Sequence, residues 1–118
     1  TQAQIAECER ATALIDKYGY KGEYFFYCIL LNDFEESFSR VNHWKQKGRR
    51  FLPYCQPYRD LHNPNQSIPQ WQKDLAGWAD KRWIFLSCEF EDFMPRKGFK
   101  CSAYFNHKTE MNEGFELV

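Results

Sequence analysis

The side chains able to do chemistry are few and far apart. Cys8, Cys28, Cys55, Cys88 and Cys101 are separated by long intervals. No two of them form C-x-x-C or another close ligand pair, so their spacing assigns no metal site. An odd count with no disulfide framework reads as the reduced thiols of an intracellular protein. Cys28 lies inside an apolar run and reads as a small core residue. Nothing beside Cys88 or Cys101 would depress a thiol pKa, which favours inert thiols over redox ones. His43, His62 and His107 fall in a helix, a loop and the tail, and no two combine with a carboxylate at metal-binding spacing. His62, close to Asp60, is the candidate acid or base. No G-x-S-x-G nucleophile motif accompanies it.

Three further groups have the right types to hold a ligand. Asn32-Asp33 could set a polar group over one, or could simply cap a helix. Arg40 could grip a carboxylate in bidentate fashion, or pair with Glu36 one turn earlier. Tyr54-Cys55-Gln56 follows an apolar run and could either touch a ligand or open an ordinary loop.

The elements that would position these groups alternate. Ile5, Cys8, Thr12, Ile15 and Tyr18 recur at helical spacing and predict a helix over 3–18, stopped by Gly19 and Gly22. Glu23–Leu31 has almost no polar interruption and predicts a strand covered on both faces, as in a parallel sheet wrapped by helices. Asp33, with Glu36 three residues on, predicts the N-terminus of a second helix. Phe34, Phe38, Val41 and Trp44 form its apolar stripe to about Lys47, and Gly48 ends it. Arg50–Tyr54 predicts a second strand, and Cys55–Pro69, rich in Pro and Asn, a loop long enough to be functional. Ser67 and Gln70 read as another capping box, ahead of a helical face of Ile68, Trp71, Leu75 and Trp78. Trp71 and Trp78 read as core anchors, because no basic stripe accompanies them. Trp83–Leu86 fits either a helix or a third strand, and Ser87–Phe93 a turn with a short helix. Residues 1–93 thus form the β/α units, and 94–118 a polar C-terminal tail in which Arg96, Lys97 and Lys100 are solvated. Helix, strand, helix, strand with short connections is the α/β pattern of parallel strands and right-handed crossovers.

Composition bounds the rest. A chain of 118 residues suits one small domain and falls well short of the roughly 250 residues of a complete (β/α)8 barrel. Sixteen Lys+Arg against sixteen Asp+Glu give no electrostatic case for nucleic acid or an anionic membrane as partner. No apolar run approaches the roughly 20 residues of a membrane span, and no signal-peptide pattern opens the chain, so a cytoplasmic protein is expected. The first residue is Thr1 rather than Met, and the first segment reads like the middle of a fold, as in a piece cut from a longer protein. Aromatic residues make up 19% of the chain, more than one small domain readily buries, so some should cover a partner, a further domain or a ligand.

The run YCILLNDFEESFSRVNHWKQKGRRFLPYCQPYRD, followed by WQKDLAGWADKRWIFLSCEFEDF, resembles the C-terminal part of radical S-adenosylmethionine proteins of bacterial and phage type. The residues that carry the resemblance are Leu30, Glu35, Glu36 and Arg40, then Pro53 and Tyr54, then Trp78, Ile84, Phe85, Ser87 and Cys88, and finally Phe90, Glu91 and Phe93. The match is one of order and spacing over most of 3–93. It departs from the family in one respect: the C-x-x-x-C-x-x-C loop that holds a 4Fe-4S cluster is absent. The resemblance implies a fragment of a partial (β/α) barrel, inactive alone. Its strand ends would help hold S-adenosylmethionine, and its partners would be the N-terminal half of the barrel and a small-molecule or peptide substrate. The residues it places at the cofactor are Asn32, Arg40, Pro53, Tyr54, Cys55 and Gln56, with Tyr54-Cys55-Gln56 against the adenine. The competing expectation is a self-contained α/β interaction domain. Either way a homodimer is expected, since a half barrel exposes strand edges and apolar faces.

Overall fold

A computed structural model describes residues 2–31, 33–57, 61–63 and 65–105. Its elements are α1 (Gln2–Lys17), β1 (Tyr24–Leu30), α2 (Phe34–Lys47), β2 (Phe51–Pro57), α3 (Gln70–Ala79) and α4 (Arg82–Ser87), with a 3-10 turn at Phe90–Asp92. The class is α/β: β1 and β2 pair in parallel, from Tyr24 opposite Phe51 to Leu30 opposite Pro57. Among the described residues these two strands are the whole sheet.

Local chemistry explains most boundaries. The Asp33 carboxylate accepts the N–H groups of Glu35 (3.0 Å) and Glu36 (3.4 Å), two of the donors a helix start leaves orphaned. Gly48 ends α2 at φ +150°, a conformation that favours glycine. α3 behaves differently from expectation. It begins after Pro69, which cannot cap with a side chain, and Ser67 takes no part. Trp83–Leu86 resolves as helix, because Ile84 and Phe85 donate back to the Lys81 carbonyl. β2 runs on to Pro57, so Cys55 and Gln56 are strand rather than loop.

The core lies between the sheet and a single helical layer. Leu30, Val41, Leu75, Trp78, Phe85 and Phe90 are fully enclosed there. Phe26 stacks on Trp44 with ring centroids 4.0 Å apart, and the buried Trp78 donates its indole N–H to the Cys88 carbonyl at 3.0 Å. Such burial is worth about 1.5–3 kcal/mol per large side chain. At the opening end of the sheet Arg50 ties three elements together. It donates to Asp16 (2.9 Å) and to the Gly22 carbonyl (2.7 Å), while Tyr24 donates to the same Asp16 at 2.5 Å. His43 joins Glu9 at 2.6 Å and so links α1 to α2 instead of standing free in solvent.

Residues 94–105, expected as the start of a polar tail, return to the core. Cys101 is fully buried, and Tyr104 and Phe105 close on Phe34 with centroids 5.7 and 5.3 Å away. Arg96 is not merely solvated: it grips Asp74 of α3 through both guanidinium nitrogens at 3.0 and 3.1 Å. The remainder of the expected tail, 106–118 with His107, lies outside the described residues.

One expectation is overturned. β1 is not covered on both faces. Tyr24, Phe26, Cys28 and Leu30 turn to the helices, whereas Phe25, Tyr27 and Ile29 stand 70%, 81% and 51% exposed. A continuous apolar run hides which side chains are buried; alternation along β1 appears because α1 reaches Tyr24 and α2 stacks Trp44 on Phe26, both on the same side of the strand.

Candidate functional site: the open face and carboxyl end of the sheet

In a parallel sheet, side chains at successive positions point to opposite faces. The register therefore sorts the candidate ligand residues. Tyr54 sits opposite Tyr27 and Gln56 opposite Ile29, on the face that carries no helix. Both Tyr54 and Gln56 are exposed, and the Tyr54 ring meets Tyr27 edge-on at 5.5 Å. Pro53 and Cys55 belong to the other face and are buried against the helical layer. Their side chains cannot reach a ligand on the open face. Leu52, beside the exposed Phe25 in the register, is the buried exception on that face, so on β2 the open surface begins at Tyr54.

Arg40 reaches the same end from α2 but is engaged. Its guanidinium lies 2.6 Å from the Glu36 carboxylate and donates to the Ile29 carbonyl at 2.6 Å. The Glu36 pair is the helical i,i+4 contact the spacing allows. Asn32 lies outside the described residues. His62 is exposed in a turn after β2, and Asp60 is outside the described residues, so that pair has no geometry here.

Two residues not singled out from sequence hold the strand ends. Gln72 of α3 is 2% exposed and donates its amide to the Leu31 carbonyl at 2.6 Å. Asp80, at the end of α3, accepts the Cys55 N–H at 2.6 Å. Burial pushes the Asp80 carboxyl up to about 6 against the pull of that hydrogen bond. A buried polar residue in an amphipathic helix, as Gln72 and Asp74 are in α3, was the available signal.

Among the described residues the cysteines are not gathered as the ligands of an iron–sulfur cluster. All five are free thiols. Cys28 and Cys55 face each other in register on the helical side, and burial pushes Cys28 up to about 11 and Cys55 further still. Burial likewise pushes Cys101 up to about 12. Among the described residues no three His, Cys, Asp or Glu side chains converge as metal ligands. Nor is any described helix long and apolar enough to cross a membrane.

Comparison with known proteins adds no identity: no family model, curated protein or solved structure matches the chain.

Proposed function

We propose that this chain is the C-terminal β/α part of a radical S-adenosylmethionine-type barrel, forming one wall of the cofactor and substrate pocket and not catalysing alone. The observation that carries this reading is the one-sided sheet. Parallel strands with α1 and α2 against one face, and Phe25, Tyr27, Ile29 and Tyr54 exposed on the other, match a segment of a β/α barrel, whose interior face is closed only when further strands complete it. Ligands in such folds sit at the carboxyl ends of the strands. At that end Tyr54 offers a ring for stacking on adenine and Gln56 an amide for its polar edge. Arg40 would reach a carboxylate only by leaving Glu36 or the Ile29 carbonyl. Pro53 and Cys55 could contribute through their backbone alone. A 4Fe-4S cluster would have to be held by residues outside this chain, so no step of its chemistry is assigned to these cysteines. Free thiols suit a cytoplasmic setting.

The coding sequence immediately upstream tests the reading. A C-x-x-x-C-x-x-C on a first βα loop is expected there, and a stop codon or an unrelated domain in that position would sink it. In the joined polypeptide, Gln56→Ala should weaken S-adenosylmethionine binding while leaving the fold intact.

A second reading, a self-contained α/β interaction domain, is favoured by one observation. Phe25, Tyr27, Ile29, Leu31 and Tyr54 are all about half exposed or more. Together they uncover on the order of 500 Å². Two such faces pressed together would bury on the order of 1,000 Å², the lower bound for a specific interface. Light scattering that shows a monomer at high concentration would count against this domain and against an isolated half barrel alike.

A further inference from the structure

The two edges of the sheet differ in kind. In an extended strand the N–H and C=O of one residue point the same way, and the direction alternates along the chain. Tyr24 donates across the sheet to the Arg50 carbonyl at 2.7 Å. The outward groups are therefore those of Phe51, Pro53, Cys55 and Pro57 on β2, and of Phe25, Tyr27 and Ile29 on β1.

On β2 every outward donor is spent or missing. The Phe51 N–H goes to the Gly48 carbonyl at 3.2 Å, and the Cys55 N–H goes to Asp80 at 2.6 Å. Pro53 and Pro57 have no N–H, and proline within a sheet belongs on an edge strand. This edge is sealed against strand addition.

On β1 the Ile29 carbonyl is taken by Arg40, but none of the backbone hydrogen bonds among the described residues uses the outward groups of Phe25 or Tyr27. A cleft of about 260 Å³ runs along this edge, roofed by Ile5 and Cys8 of α1 and closed by Trp44 and Arg40 of α2. α1 runs antiparallel to β1: Thr12 and Asp16 meet Tyr24, while Ile5 and Cys8 lie near Tyr27 and Cys28. The amino end of α1 thus sits by the carboxyl end of β1. That is where a strand preceding α1 in a right-handed β-α-β unit would end.

We infer that the outer edge of β1, under α1, is a docking slot for one extended polypeptide segment, which adds parallel to β1 and turns an apolar side chain up into the α1 cleft. A second copy fits poorly. Its own α1 would overhang its own β1 edge, so the two helices would compete for the same space. The inference rests on the reading of the sheet as an incomplete β/α unit, not on S-adenosylmethionine, and each has its own test.

The test joins an alternating threonine–valine heptapeptide ahead of α1 through a short glycine–serine linker, with a twin chain in which prolines interrupt the heptapeptide. Amide hydrogen exchange is read residue by residue. In the first chain the Phe25 and Tyr27 amides should slow by about 100-fold relative to the twin, with Phe51 and Cys55 unchanged. Equal exchange in the two chains, or slowing confined to β2, would overturn the slot. If the tether disturbs folding, the same heptapeptide added in trans at millimolar concentration is read at the same amides with the same two outcomes.

Discussion

Asp74→Ala should cost about 3 kcal/mol and release residues 94–105 from the core. Asp74 is 4% exposed on α3 and accepts from Gln70 at 2.9 Å, from both Arg96 nitrogens and from the Tyr104 hydroxyl. A hydrogen bond to a charged group is worth about 1.5–3 kcal/mol when buried. The Tyr104 and Gln70 bonds therefore supply most of the loss. The Arg96 side chain is 45% exposed, so its pairing counts as little more than a surface contact, at most about 1 kcal/mol. Burial raises the Asp74 pKa, but the hydrogen bonds from Arg96, Tyr104 and Gln70 outweigh it and hold the carboxyl below its usual range. Its contribution is therefore fully present above the unfolded pKa near 3.9 and is lost as pH falls through the lower folded value. Urea unfolding followed by circular dichroism, at pH 7 and again near pH 3, measures both effects. The variant should be about 3 kcal/mol less stable at neutral pH and should lose less than the parent on acidification. A cost below about 0.5 kcal/mol, typical of a surface substitution, would refute the network as the anchor of this segment.

Other outcomes follow from the same geometry. Asp33→Ala should cost about 1 kcal/mol in thermal or urea unfolding, because it removes the cap of α2, whereas Ser67→Ala should be neutral. Asp80 has a folded pKa raised to about 6 by burial, so its contribution to stability is present below about pH 4 and is lost as pH rises to about 6. Asp80→Asn should flatten that part of the pH–stability curve, and an unchanged slope would contradict the burial of the carboxylate. Tyr27→Ala and Tyr54→Ala, on the open face, should change stability by less than about 1 kcal/mol yet lower any self-association seen by light scattering. Leu75→Ala, fully buried, should cost about 2–5 kcal/mol in the same unfolding assay.

Much of the fold was legible in the sequence because local signals and periodicity agreed. Asp33 and Gly48 bracket α2, and its apolar stripe at Phe34, Val41 and Trp44 is the face that packs. β1 could be located from its apolar run, but not its exposure. Phe25, Tyr27 and Ile29 are as hydrophobic as their neighbours, and which face is covered depends on how many strands and helices surround the sheet. The site was legible in part. Tyr54 and Gln56 lie exposed on the open face while Pro53 and Cys55 face the helices, a division the sequence did not show, because the expected strand stopped at Tyr54 and a segment read as loop from Cys55 gives no alternation to separate the faces. Arg96 looked like one of three solvated cations, since its partner Asp74 lies 22 positions away in another element. Pro53 and Pro57 carried a usable signal: two prolines four apart in a strand occupy the same row of backbone groups and mark a closed edge.

The claim on which the proposed function rests is that the helices cover only one face of the sheet and leave the other open at its carboxyl end. Hydroxyl-radical footprinting of the dilute chain, read by mass spectrometry at single residues, tests it directly. Phe25, Tyr27 and Tyr54 should be modified heavily while Phe26, Phe51 and Trp44 are protected. Comparable protection of both sets would mean that the sheet is closed on both sides, and would contradict the account.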